Sequence, residues 1–180
     1  EEYDVVVVGA GAAGMAAALT VSTEGDTART LLLEKGNSNL GNGNSIFSSG
    51  IIFSGSDAES LFEYMKELRG EFSGTPDTVL KAYADEIVHH KEWLKALGAT
   101  DDMLVDYAGT NWEWGELPHA TATELFSFNK EDENDMTHVV KFLNAALEQR
   151  ADSVTPLNEA PLVALVHDPE SKKVIGGVYE

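Results

Sequence analysis

The sequence predicts an α/β protein that opens with a βαβ unit, and three observations support this. Val5–Val8 is an uninterrupted apolar run, as is typical of a strand covered on both faces in a parallel sheet. A glycine-rich turn, Gly9–Gly14, follows directly, and the alanine-rich residues after it favour a helix. A second apolar run, Thr30–Leu33, then ends at the acidic residue Glu34. Strand, glycine turn, helix and strand in this order indicate a Rossmann-like core.

The glycine turn is suited to a dinucleotide. Gly9 permits a sharp turn, Gly11 permits close approach of the backbone to a pyrophosphate, and Gly14 permits close packing of helix and strand. The N–H groups at the start of the helix favour an anion. Glu34 stands where a carboxylate accepts hydrogen bonds from a ribose diol. The predicted contacts within the turn are Gly9, Ala10, Gly11, Ala13 and Gly14.

Composition and charge restrict the class of function. The chain has 180 residues, of which 43% are hydrophobic, enough for a substantial core. Its net charge of −19 argues against nucleic acid or an anionic membrane surface as partner, because both repel a polyanion. The sequence contains no Cys, so redox chemistry has to come from a cofactor. No apolar stretch approaches the roughly twenty residues of a membrane span.

Helical patterns recur along the middle of the chain. They cover residues 12–22, 57–69 and 75–97. Pro76 stands at the start of the third helix, and Gly98 ends it. Residues 35–55 are rich in Gly, Asn and Ser and predict a loop suited to wrapping backbone around a ligand. Residues 100–131 predict irregular structure.

The C-terminal part predicts one more helix and then a β-hairpin. Asp135 or Thr137 is expected to cap the helix. The predicted core face of this helix consists of Val139, Val140, Leu143 and Leu147. The apolar runs Leu162–Val166 and Val174–Tyr179 predict the two strands of the hairpin.

Several segments together resemble one family. They are the glycine turn, Glu34-Lys35, Gly43–Gly50, Glu159–Leu165 and Lys173–Val178. With the two helices that follow Gly50, they are similar to the fumarate reductase/succinate dehydrogenase flavoprotein family, which includes the FAD-dependent 3-ketosteroid dehydrogenases. The resemblance covers nearly the whole chain and is weakest over residues 100–135.

The resemblance implies that FAD is bound. The glycine turn would face the FAD pyrophosphate, and Glu34, with Lys35 beside it, would face the adenosine ribose. The resemblance adds contacts to the pyrophosphate and flavin from Gly43, Asn44, Ser45, Ser49 and Gly50. Donors near the flavin stabilise its reduced form. Leu162 would contact the adenine through its backbone.

Two residues depart from the family pattern. Asn42 stands where the family has the first of two glycines, and Ile51 stands where it has the second Gly of an SGG segment. Residues 36–50 contain no His, the residue that links FAD covalently in some members. We therefore expect FAD to be bound without a covalent link.

The resemblance also implies parts that this chain does not supply. In the family, a later strand and a C-terminal glycine-rich segment close the FAD site, and most proton-transfer residues lie there. The expected division is 1–100, the N-terminal part of the FAD-binding domain; 101–135, a segment leading toward a substrate or capping region; and 136–180, a return to the FAD-binding domain. The catalytic residues are unknown. A C-terminal portion or a second chain would complete the site, and the chain would not be active alone.

The expected function is that of a flavin oxidoreductase acting on a small molecule with an activated C–C or C=C bond. Two alternatives stay open. Glu34 would also suit an NAD-dependent dehydrogenase, although the Gly43–Gly50 loop argues against one, and the chain would also suit a non-catalytic nucleotide-binding subunit. A cytoplasmic location is favoured, with a periplasmic or exported one if an upstream signal has been removed.

No metal site is predicted. His89 and His90 are adjacent and lack the three- or four-residue spacing that a pair of ligands on one helix face requires. His119 and His138 are isolated in the sequence, and we expect both to be structural.

Overall fold

The computed structural model describes residues 2–24, 27–38, 43–71, 74–107, 114–129, 135 and 137–180. The chain divides into two compact units. The first consists of Glu1–Gly50 and Asp132–Glu180, and the second of Ile51–Glu131. Asn42 and residues 131–134 lie outside the described residues. The predicted division at residues 100 and 135 concerns the domains of the whole enzyme and stays a prediction.

The described residues form helices and strands in mixed order. The strands are β1 (Val5–Val8), β2 (Thr30–Leu33), β3 (Ile52–Gly55), β4 (Leu104–Asp106), β5 (Thr123–Phe128), β6 (Val154–Leu157), β7 (Leu162–His167) and β8 (Val174–Tyr179). The helices are α1 (Ala12–Glu24), α2 (Ala58–Arg69), α3 (Asp77–Ile87), α4 (His90–Ala96) and α5 (His138–Glu148).

The first unit contains the predicted βαβ core. A parallel sheet has the strand order β1-β2-β6, with Val8 beside Leu33 and Leu33 beside Leu157. Helices α1 and α5 pack against each other, and α1 also packs against β2. The strand β6 was not predicted from the sequence, because Pro156 and its polar neighbours obscure the apolar run.

The prediction that β1 is covered on both faces is wrong for this chain. Val6 and Val8 are 43% and 54% exposed. The reason is position in the sheet: β1 pairs with β2 alone among the described strands, whereas β2 lies between two neighbours. All four residues of β2 are buried, so the continuous apolar pattern describes the central strand correctly.

The second unit is built around an antiparallel sheet with the strand order β3-β5-β4. The prediction that residues 100–131 are irregular is therefore wrong, since β4 and β5 lie within them. Phe126 and Phe128 bury their rings at 0% and 4% exposure, and β5 pairs along both edges. Burial and pairing make this segment a strand, and both depend on partners that are distant in the sequence.

The predicted helix over 75–97 is interrupted. It forms α3 and α4, with a turn at Val88 and His89 between them. The hydroxyl of Ser54 donates a 2.7 Å hydrogen bond to the carbonyl of Ile87, and this carbonyl would otherwise accept from the backbone of a continuing helix. The ring of His90 lies 3.0 Å from the carbonyl of Phe53. Strand β3 therefore accounts for the break.

The C-terminal elements agree with prediction. Helix α5 buries Val140, Leu143 and Leu147 as predicted, whereas Val139 is only half-buried. Thr137 takes the N-cap position, but its side chain makes no cap hydrogen bond. Strands β7 and β8 pair as an antiparallel hairpin. Nearly all residues of the hairpin are exposed.

Candidate functional site

The glycine turn at the end of β1 has the conformation that the motif predicts. Gly9 has φ +94°, a value that favours glycine, and its N–H donates to the carbonyl of Leu33 at 2.7 Å. A Cβ on Gly14 would lie 1.8 Å from the carbonyl oxygen of Gly9. The start of α1 therefore approaches the turn as closely as a glycine backbone allows.

Glu34 joins this turn to the segment that follows β2. Its Oε2 accepts a 2.7 Å hydrogen bond from the N–H of Ala10, and its Oε1 accepts a 2.8 Å hydrogen bond from the N–H of Gly36. The side chain is half-buried at the carboxyl end of β2. A carboxylate has about four acceptor sites, so both oxygens retain capacity for a ribose diol while they hold the turn.

The Gly43–Gly50 loop lies against the start of α1. Its central part, Asn44–Phe47, is a short 3-10 helix. The Oγ of Ser45 accepts a 3.0 Å hydrogen bond from the N–H of Ala12. The hydroxyl of Ser48 in turn donates to the carbonyl of Ser45 at 2.8 Å. A hydroxyl from the loop and the N–H groups of the helix start are thus brought to one place.

The loop ends in an unusual turn. Ser49 and Gly50 both have positive φ, +63° and +67°. Gly50 is buried, and its carbonyl oxygen lies 3.3 Å from Nε2 of His138. His138 is therefore a neighbour of the predicted flavin loop, which its isolated position in the sequence did not indicate.

The segment before β7 passes along the other side of Glu34. The N–H of Ala160 donates to the carbonyl of Glu34 at 2.9 Å, and the N–H of Glu159 donates to the carbonyl of Gly36 at 2.7 Å. Leu162 packs against the cluster of Leu31, Leu33 and Ala160. The residue predicted to contact adenine is thus placed beside the strand that carries Glu34.

The remaining predicted site residues differ in how far they are exposed to solvent. Ala10 is buried and Gly11 is half-buried, with Ser45 Oγ 3.5 Å from the position that a Cβ on Gly11 would take. The exposed predicted residues are Ala13, Lys35, Gly43 and Asn44. The structure therefore joins the glycine turn, Glu34, Ser45 and the Leu162 segment.

Three contributing residues were not singled out from the sequence: Ala12, Gly36 and His138. Ala12 and Gly36 contribute backbone N–H groups, which residue type does not reveal. A spacing rule would have found Ala12, since it lies between the motif glycines at the start of the helix. No local signal identifies His138.

The second unit has a cavity of its own. Its volume is about 550 Å³. It is lined by Ile51, Phe53, Tyr64, Met65, Leu68, Tyr83 and Leu125. Burial raises the pKa of the Tyr83 hydroxyl above its usual value.

Two kinds of site are not found in the described part of the chain. Among those residues, no cluster of three or more His, Cys, Asp or Glu side chains is arranged to bind a metal ion. Of the described helices, none has both the length and the apolar character to cross a bilayer.

Comparison with known proteins supports a common fold. The model of the family described as FAD binding domain matches residues 4–180. No curated protein sequence matches the chain significantly.

Solved structures show the same similarity. A 3-ketosteroid-Δ4-(5α)-dehydrogenase from Rhodococcus jostii RHA1 superposes with a TM-score of 0.76 at 21% identity, covering 99% of this chain and 42% of that one. A flavocytochrome c3 fumarate reductase gives 0.69 at 19% identity, covering 98% and 30%. The E. coli quinol fumarate reductase gives 0.69 at 14% identity, covering 93% and 27%. The chain thus spans less than half the length of these structures.

Proposed function

This chain belongs to the FAD binding domain family, and on that premise we propose that it is the FAD-binding portion of a flavin oxidoreductase. FAD held there would exchange a hydride at flavin N5 with a carbon next to a carbonyl or carboxylate, either reducing a C=C bond or introducing one. The observation that best supports this proposal is the Glu34 carboxylate, which joins the turn after β1 to the end of β2 while retaining acceptor sites.

The residues present fit a dinucleotide in size and charge. The absence of side chains at Gly9 and Gly11 lets backbone form the wall of the site, and the start of α1 favours the pyrophosphate. Glu34 would accept hydrogen bonds from the adenosine ribose. The hydroxyl of Ser45 accepts from the N–H of Ala12 and would donate its own hydrogen to a phosphate or flavin oxygen, since a hydroxyl is both acceptor and donor.

We further propose that the FAD is held without a covalent bond. The support is the absence of His from residues 36–50. Precipitation of the purified protein with acid tests this: all flavin is expected in the supernatant, and flavin that stays in the pellet would contradict it.

Catalytic residues are assigned to the remainder of the enzyme, which is either a longer polypeptide or a second chain. The solved structures reach well beyond the region that this chain covers. Mass measurement of the native particle separates the two arrangements, because a second polypeptide indicates a split assembly and a single longer one excludes it.

The reaction class is tested with the complete enzyme. Protein whose flavin has been reduced under anaerobic conditions should be reoxidised by an α,β-unsaturated carbonyl or carboxylic acid, or the oxidised enzyme should be reduced by the saturated compound. The FAD bands report both directions. If compounds of these types leave the absorbance unchanged while a nicotinamide cofactor serves as the only hydride partner, the proposed substrate class is wrong.

A further inference from the structure

His138 is a buried side chain whose ring contacts the backbone of the Gly43–Gly50 loop. It is the first residue of α5 and is 9% exposed. Its Nε2 lies 3.3 Å from the carbonyl oxygen of Gly50, and its Nδ1 lies 2.9 Å from the carbonyl oxygen of Asp135. Carbonyl oxygens only accept, so each contact needs a proton on the ring nitrogen that faces it; a neutral ring donates one of the two hydrogen bonds, and a protonated ring donates both.

The contact with Gly50 is steric as well as polar. A Cβ on Gly50 would lie 2.3 Å from Nε2 of His138 and 2.5 Å from its Cε1. The ring therefore occupies the space in which a side chain at this position would stand. A side chain at position 50 would have to displace this ring.

The turn beside this contact is strained. Ser49 has φ +63°, a conformation that the Cβ of a non-glycine residue disfavours. Such a conformation persists where the surrounding structure enforces it. The His138 ring packs against the next residue, Gly50.

The position of His138 is itself secured from α5. The Oδ1 of Asp135 accepts hydrogen bonds from the N–H and the hydroxyl of Thr137 at 2.7 and 2.6 Å, and its Oδ2 accepts from Nζ of Lys141 at 2.8 Å. Helix α5 also packs against α1. These contacts hold the start of α5, and with it the backbone of His138, in place.

The direction of the Gly50 carbonyl determines the direction of the neighbouring N–H. In a trans peptide the C=O and N–H of one group point to opposite sides. The peptide group of the Gly50 carbonyl carries the N–H of Ile51. A carbonyl turned toward His138 consequently directs this N–H away from α5. We propose that His138 is a positioning residue, which holds this peptide group so that its N–H, and not its carbonyl oxygen, is presented to the FAD.

This inference rests on the proposed FAD site and deepens it. An N–H near the flavin favours the negative charge of the reduced cofactor, whereas a carbonyl oxygen in its place opposes that charge. Loss of the His138 contact lets the peptide group rotate. The reduction potential of the bound flavin should then fall.

The test compares four variants of the full-length flavoprotein with the wild type: His138→Phe, Gly50→Ala, Val140→Ala and His138→Gln. His138→Phe keeps a ring but removes both ring nitrogens, and with them the hydrogen bond to the Gly50 carbonyl, whereas Gly50→Ala displaces the ring from the loop side. Val140→Ala is the control, because it shortens a buried side chain of α5 without removing a hydrogen bond. The readouts are the two-electron reduction potential of the flavin and the Kd for oxidised FAD.

We expect His138→Phe and Gly50→Ala to weaken the binding of reduced relative to oxidised FAD about tenfold, which is a fall of about 30 mV in potential. Val140→Ala should lower Tm and leave the potential unchanged. The amide of His138→Gln, which retains an N–H donor, should recover most of the fall. If one of the first two variants does not fold, the other still reports the potential.

Three results would overturn the inference. One is a wild-type potential in the first two variants, and another is an equal fall in Val140→Ala, which would show that general loosening of α5 suffices. In both cases the wild type still binds FAD and the proposed function stands. The third result, a wild type that binds no FAD, overturns the proposed function and this inference with it.

Discussion

Gly14 leaves no space for a side chain, because a Cβ there would lie 1.8 Å from the carbonyl oxygen of Gly9 and 3.6 Å from the side chain of Val7. The first of these neighbours is backbone of the turn itself and has nowhere to move without opening the site. Glycine at this position is therefore required by the packing of the turn, before any ligand is considered.

Gly14→Ala is accordingly expected to damage both fold and ligand binding. The free energy of unfolding should fall by about 1–3 kcal/mol, as for overpacked sites, and FAD affinity should fall at least about tenfold. Gly74→Ala is the control, since a Cβ on Gly74 would meet nothing within 4 Å. Urea unfolding measures the stability of both variants, and titration with FAD measures their affinity. Equal losses in the two variants would contradict the role given to Gly14.

Asp135 is the residue whose charge should matter most for the start of α5. Hydrogen bonds from Lys141 and then from Thr137 hold the pKa of its carboxyl well below its usual range. A lowered pKa in the folded state contributes stability above the unfolded pKa of about 3.9, and that contribution is lost as the pH falls through the folded value.

Asp135→Asn should therefore lower Tm at pH 7 and have a progressively smaller effect below about pH 4. Thermal unfolding of wild type and variant across this range measures the difference. Asp152→Asn, in an exposed turn after α5, serves as control. A Tm difference that stays constant down to pH 2 would exclude the proposed role of the charge.

For the helices, the local sequence pattern predicts the type of structure but not where a helix is interrupted. The helical pattern over 75–97 was correctly read as helix, but the break between α3 and α4 depends on Ser54, a residue of a distant strand. The hydroxyl of Ser54 is buried against the Ile87 carbonyl. A local pattern contains no information about such a partner.

Removal of this hydroxyl tests the explanation of the break. Ser54→Ala leaves the buried carbonyl of Ile87 without its donor, and the free energy of unfolding should fall by about 1–3 kcal/mol. Ser56→Ala is the matched control, since its hydroxyl makes only a 3.5 Å contact to Ala122 at an exposed position. Equal losses in the two variants, measured by urea unfolding, would show that the Ser54 bond does not hold the turn.

The unit that contains the glycine turn leaves apolar surface exposed on two of its elements. The outward face of β1 is open, and Leu165 and Ile175 of the hairpin are 53% and 65% exposed. A two-stranded hairpin is marginal by itself in water. These surfaces agree with a chain that covers 42% or less of each compared structure.

We therefore expect the 180-residue chain expressed by itself to bind FAD at least about tenfold more weakly than the native enzyme. The reason is that the open faces of β1 and the hairpin leave the FAD-binding unit without part of its support. Isothermal titration of both proteins with FAD measures the ratio. Equal affinities would show that the 180 residues are sufficient for binding.

The site itself was predictable where its chemistry lies in one short segment. The glycine turn and Glu34 follow from spacing and residue type, and the structure brings them into contact. The contact of Gly50 with His138 joins residues that are 88 positions apart in the sequence. Neither residue type nor periodicity predicts it. Long-range packing of this kind, like the pairing of β5, has to be seen in the fold.

The binding of FAD at the Gly9–Gly14 turn is the central claim, and the absorption spectrum of the purified full-length protein tests it most directly. We predict a yellow protein with the two visible flavin bands, or an apoprotein that acquires them on addition of FAD and releases FAD on denaturation. A colourless preparation that acquires no flavin absorbance when FAD is added would contradict the claim.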